Sequence, residues 1–293
     1  MPTPIRTALM AATMCMAGLA HADAKADFET WQAGRLDRLT QPYGWLSLVG
    51  LHFLKPGINT IGSAPGNTIQ LGYGPAQIGA IDMKDGVYVL SATPEIGVLV
   101  DGKNAGQVNL SDDSAGPASL IQVGGQKMWV VIRGEPALRV RNPDATTRLG
   151  FRGLDSFDFD PSWLINARYE AYSPPRTIET ITVIGTVERN DNPGRIHFER
   201  NGQAFSLEAI REAGGDALFF IVADQTNAGD TYGAGRFIYA ALPTDGRVQV
   251  DFNRLYNPPC AFTEFSTCPL PPAGNRMRTR IEAGEKRYVG HLD

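Results

Sequence analysis

The chain has 293 residues, 43% apolar and 20% charged, which is the composition of a folded protein with a sizeable core. Its 27 basic and 31 acidic residues give a net charge of −4 with no run of Lys or Arg among them. Neutralising a phosphate backbone needs clustered cations, so the composition argues against a nucleic-acid partner.

The first two dozen residues read as an export leader. A single positive charge at Arg6 precedes an apolar run from Ala8 to Leu19 and the small-residue site Ala20-His21-Ala22. Cleavage is expected after Ala22 or, through Ala22-Asp23-Ala24, after Ala24. The run is shorter than the roughly 20 residues of a membrane anchor. Met14 before Cys15 does not suit lipid attachment. A periplasmic or secreted protein follows, with no membrane insertion after the leader is removed.

Lys25 to Gln41 is the best helix: Phe28, Trp31, Leu36 and Leu39 share one face, which predicts a helix docked on the core. From Gly44 to about Asn142 the pattern changes to short apolar runs. Val87 to Leu90, Gly97 to Val100 and Met128 to Ile132 read as strands. Asp85-Gly86, Asp101-Gly102 and Gly124-Gly125 supply tight turns. A connector is expected at Ala171 to Arg176, stiffened by Ser173-Pro174-Pro175.

A second strand-rich stretch starts near Thr177 and runs through the β-branched residues to Val187. Arg195 to Arg200 and Gln203 to Leu207 flank the turn Asn201-Gly202, and Leu218 to Ala223 is almost wholly apolar. Phe237 to Ala241 and Arg247 to Phe252 flank Asp245-Gly246. With 32 Gly and 20 Pro, the predicted class is mainly β, antiparallel sheets of sandwich or barrel-like form with an N-terminal helix. The sheets form one large body or two packed β halves. The expected division is a leader at 1–22, a helix plus sandwich at 23–172, and a C-terminal β region at 173–293 with a Pro-rich Cys loop.

Six tracts resemble the bacterial family called domain of unknown function 1684: Thr231 to Phe237, Asp251-Phe252-Asn253, Tyr256 to Phe262, Thr267 to Pro272, Asn275-Arg276 and Ala283 to Lys286. Gly44 to Leu48 and Gly57 to Ser63 fit it as well. The resemblance implies a grouping and no activity. Gly57 to Asn67 is also similar to the opening of forkhead-associated β-sandwiches, which bind phosphothreonine peptides. Ser63 stands where those domains carry Arg, and no Ser-x-x-His follows. The similarity therefore implies a sandwich without that binding site.

Chemistry-bearing residues concentrate late in the chain. Cys260 and Cys268 lie in a proline-rich loop and make a disulfide candidate in an oxidising compartment, against the alternative of two buried thiols. Two Cys and the scattered His52, His197 and His291 do not make a zinc site. Asp155, Asp158 and Asp160 read as a solvated turn with Asp160 or Ser162 capping it, so no metal and no cofactor are expected. No Gly-x-Ser-x-Gly elbow or phosphate-binding glycine loop is present.

If the strands around the Thr226 to Gly235 loop pair, Asp224 and Arg236 meet at its base. That fork either holds the loop or lines a polar pocket. Tyr232, Arg236, Asn253, Tyr256, Asn257 and Asn275 are the candidate binding residues. Two functions stay open: a non-enzymatic envelope protein that binds a small molecule or another envelope protein, and a hydrolase of unfamiliar type. The hydrolase would use Asp224, Asp251 or Glu285 as base, with Arg236 and Tyr232 steadying charge.

Overall fold

A computed structural model describes residues 6–290, with side chains described from residue 23 onward. The expected leader, residues 1–22, lies outside the residues described in full. The chain is mainly β with antiparallel sheets, as its patterning predicts. Helix α1 (Arg6–Thr40) leads in, with Phe28, Arg35 and Leu39 buried on one face. That stripe follows the helical repeat, but it contains an arginine. Among the described residues no helix is long and apolar enough to cross a membrane.

Eleven strands follow. They are β1 (Leu48–Phe53), β2 (Gly57–Gly62), β3 (Ile69–Gln70), β4 (Gly79–Lys84), β5 (Val87–Ala92), β6 (Leu99–Val100), β7 (Lys103–Asn104), β8 (Gln107–Leu110), β9 (Ile121–Val123), β10 (Gln126–Arg133) and β11 (Glu135–Arg141). One sheet runs β1-β11-β10-β9-β6-β7 and the other β3-β2-β4-β5-β8. Their inward residues, among them Ile61, Ile81, Leu90, Met128, Val130, Leu138 and Val140, form one core between the sheets. Period-two alternation puts Leu138 and Val140 into that core and turns Arg139 to the other face of β11.

A short helix α2 (Thr146–Leu149) leads into the C-terminal body. This contains β12 (Leu164–Ile181), β13 (Val187–Arg200), β14 (Gln203–Glu208), β15 (Ala217–Val222), β16 (Arg236–Ala241) and β17 (Arg247–Asp251). The sheet β14-β13-β12-β17 packs on the hairpin β15-β16, and an Ile210–Phe219 bridge ties the end of β14 to β15. Trp163, Ile196, Leu207, Phe220, Ile238 and Phe252 fill the space between them. The turns fall where the dipeptides place them. Asp85, Asp101, Asn201 and Asp245 have φ of 52°, 50°, 52° and 49°, and each is followed by a positive-φ glycine, the backbone of a tight hairpin turn.

Three expectations are corrected. Ala171 to Arg176 is not a connector but part of β12. β17 pairs with β12 only over Leu164–Arg168, and the β12–β13 register shifts between Ala171 and Arg176. Pro174 and Pro175 thus sit past the end of one neighbour and in an irregularity facing the other, where missing N–H groups break no ladder. Thr177 to Val187 is not one strand. It turns back at Thr182 to Gly185, with Gly185 at φ 84°, and Ile181 pairs with Val187. Finally, Asp245-Gly246 does not join β16 to β17 in a ladder, because β16 pairs with β15 and β17 crosses to β12.

Candidate functional site

Most of the predicted polar residues are hydrogen-bonded within the fold. β15 and β16 pair with Val222 opposite Arg236, so the loop between them closes as expected. Arg236 has no exposed surface. It donates to Asp224 Oδ2 at 2.9 Å and to the carbonyls of Ile281, Ala283 and Glu285. Asp224 Oδ1 accepts from the Thr226 amide and hydroxyl and from the Ile281 amide. The fork is architecture: it knits the loop to the tail of the chain.

The other carboxylates are equally engaged. Asp251 accepts from the Asn253 amide and side chain on one oxygen and pairs with Arg254 at 3.0 Å on the other. Glu285 accepts from Arg35 Nε at 2.9 Å and from the Asn257 amide at 2.7 Å. Gly284 before it holds φ 77°, and a Cβ there would lie 2.4 Å from the Leu255 carbonyl oxygen. That tight crossing is what brings Glu285 under the helix. Each oxygen of these three carboxylates thus already faces a donor within the chain.

Of the expected binding residues, Asn253 bonds the Asp160 backbone at both its N–H and its C=O, and Asn275 does the same for Glu208. Asn257 donates to the Lys286 carbonyl. Tyr232 donates to the Cys260 carbonyl at 3.0 Å, and burial raises its phenol above the ordinary range. Asp160 caps its turn through the Ser162 amide, as predicted. No cluster of metal-ligating side chains occurs among the described residues. Tyr256 alone of the expected binding residues lines a cavity of about 690 Å³.

That cavity lies where helix, sandwich and C-terminal body meet. Trp31, Arg35 and Arg38 come from α1, Trp45 from the segment after it, and Arg133 and Arg139 from β10 and β11. The C-terminal body contributes Phe219, Phe237, Tyr239 and Tyr256, with Glu188, Glu212 and Cys268. The rings are ordered by one another. Phe219 and Tyr239 stack at 4.8 Å, and Phe237 stands edge-on to Phe219 at 4.9 Å and to Tyr256 at 5.9 Å.

Tyr239 donates to Glu212 at 3.0 Å, and burial raises both the Tyr239 and Tyr256 phenols, which stay protonated. Arg35 lies over Tyr256 at 4.7 Å and donates to the Asn257 carbonyl, so one side chain both pins α1 and walls the cavity. Burial raises Glu188, with Arg133 pulling the other way.

The disulfide expectation is not met in this structure. Cys260 and Cys268 are free thiols, with the Cys260 amide donating to the Cys268 sulfur at 3.1 Å. A hydrogen bond from Cys268 favours the Cys260 thiolate, while burial pushes Cys268 up. Sequence reasoning missed Arg35, Arg139, Glu188, Glu212 and Tyr239. Arg35 had left a signal, a charge inside the apolar stripe of a docking helix. The others had none, since their shared environment exists only after the two β bodies pack.

Fold and site together define a two-bodied, mainly β protein with an aromatic, arginine-bearing cavity at the junction. Residues 149–286 match the model of the family described as protein of unknown function (DUF1684), which bears out the resemblance in the late tracts. The match stops short of α1 and the sandwich, so the forkhead-associated likeness rests on Gly57 to Asn67 alone. An uncharacterized protein of Haloarcula marismortui, solved in solution by NMR, is 29% identical, with 47% of this chain and 78% of that chain covered and a TM-score of 0.41. No curated protein matches.

Proposed function

We propose that the protein is a small-ligand-binding protein of the cell envelope and that the junction cavity is its binding site. The observation that carries the reading is the concave cleft itself. About 690 Å³ is lined from three separate parts of the chain by packed rings and by charged side chains, among them Arg35, Arg139, Glu188 and Glu212. Ligand pockets commonly span roughly 300–1,000 Å³ and are apolar with a few placed polar groups.

Trp31 and Trp45 wall the cavity and report its occupancy. Titration with a panel of small metabolites is expected to shift their fluorescence and raise Tm for at least one class. Thr267→Trp, which puts an indole across the lining, should abolish both responses while leaving the fold intact. Responses that survive Thr267→Trp unchanged put the ligand elsewhere.

The envelope location rests on the leader-like residues 1–22. Thiol–disulfide exchange there would close Cys260 and Cys268, passing two electrons and two protons to the partner disulfide. Mass analysis of the protein from an envelope fraction reads both points. It should begin at Asp23 or Lys25, with the two cysteines blocked to alkylation until reduced. A retained leader, or freely alkylated cysteines, counts against the corresponding part.

A further inference from the structure

Arg139 is 6% exposed and lines the cavity. It makes no hydrogen bond and no ion pair among the described residues; its Nε is buried without a partner, as are those of Arg141 and Arg236, and only the more distant Asp113 and Cys268 favour its charge. Its one neighbouring ring is Trp45, 6.0 Å from the guanidinium centre. The adjacent arginines are spoken for: Arg133 pairs with Asp113 at 2.9 Å, and Arg141 bonds the Tyr43 carbonyl. Burial, and then the charges of Arg133 and Arg141, bring Arg139 down to about 10, so it remains a cation at neutral pH.

A buried cation without acceptors is costly, and a protein that needed only bulk there would do better with Leu or Met. A guanidinium presents a planar fork of donors that matches an oxyanion in two-point contact. Elsewhere in the cavity the surface is different in kind. Phe219, Tyr239 and Tyr256 line it as a stacked series of rings, with successive centroids 4.8 Å and 6.5 Å apart. We infer that Arg139 anchors the oxyanion of a small organic acid whose flat apolar body lies against Phe219, Tyr239 and Tyr256. The inference rests on the junction cavity being the binding site.

The anion could be a carboxylate or a phosphate monoester, since either fills the fork. Calorimetric titration and thermal shift of the full chain with benzoate, phenyl phosphate, inorganic phosphate, benzyl alcohol and benzylamine separate the terms. Benzoate or phenyl phosphate should bind and raise Tm, and the better of the two names the anion. Inorganic phosphate alone, lacking the ring, should bind more weakly. Arg139→Met should weaken the best probe at least about tenfold, as expected for losing a charge-assisted pair. Arg139→Lys, which keeps the charge without the fork, should fall between.

The ligand-free proteins give an independent reading. Arg139→Met should melt above the parent, because an unpaired buried charge has been removed, whereas a structural arginine would lower Tm when lost. Benzyl alcohol or benzylamine binding as tightly as benzoate overturns the oxyanion assignment and leaves the cavity reading standing. Undiminished binding by folded Arg139→Met, or its lower ligand-free Tm, overturns the role of Arg139. Failure of every probe to bind overturns both.

Discussion

Arg236 lies at the base of the Thr226 to Gly235 loop and Arg139 in the middle of β11, and both residues are buried. The first is met by a carboxylate and three carbonyls, while the second makes no hydrogen bond or ion pair among the described residues and lies 6.0 Å from a ring. Equal burial therefore means different things in the two places. Around Arg236 the chain supplies the acceptors itself, and the charge serves to fix the tail from Ile281 to Glu285 against the hairpin. Around Arg139 the acceptors must come from outside, which is the mark of a site rather than a joint.

Substituting Arg236 gives the largest expected effect. Arg236→Met strands Asp224 as an unpaired buried carboxylate and frees three carbonyls, and should lower stability by about 3–5 kcal/mol. Urea unfolding followed by fluorescence measures it. A loss below about 1 kcal/mol, the size of an ordinary single hydrogen bond, would mean that satisfaction of the guanidinium is not what separates the two arginines. Next in size and opposite in sign stands the rise expected for ligand-free Arg139→Met. The pair of variants should diverge from the parent in opposite directions, although each deletes one buried arginine.

The contrast also explains what could be read from the chain. The Asp-Gly and Asn-Gly turns, the docking helix and the apolar strand runs are local signals, and the backbone follows them at Asp85, Asp101, Asn201 and Asp245. The Asp224–Arg236 fork was legible for the same reason, since a single loop separates its members and strand pairing closes it. Arg139 was not. In β11 it alternates with Leu138 and Val140, which point into the sandwich, so it reads as an ordinary outward-facing charge. It is hidden only because α1 and the Cys loop of the C-terminal body cover that face. Glu188, Glu212 and Tyr239 became its companions through contacts spanning many tens of residues. Ser173-Pro174-Pro175 misled in the converse way: a sequence that looks like a linker is tolerated inside β12 because one neighbour ends before it.

Glu188 gives the smallest effect and sharpens the comparison from the acidic side. It lines the same cavity as Arg139, and burial raises its carboxyl above the usual range against the pull of Arg133. An acid with a raised folded pKa binds its proton more tightly in the folded protein than in the unfolded chain. Its contribution is therefore fully favourable below the ordinary glutamate range and is lost as pH rises from the unfolded value through the raised one. Glu188→Gln removes that dependence. Its stability relative to the parent should rise across this window and then level off, by no more than about 0.5 kcal/mol for a half-buried position. Paired urea curves at pH 4 and pH 7 read the difference. A variant whose stability falls relative to the parent as pH rises would show that Arg133 outweighs burial at Glu188. The acidic wall would then be satisfied from within, as Asp224 is, and Arg139 would stand alone as the cavity's unanswered charge.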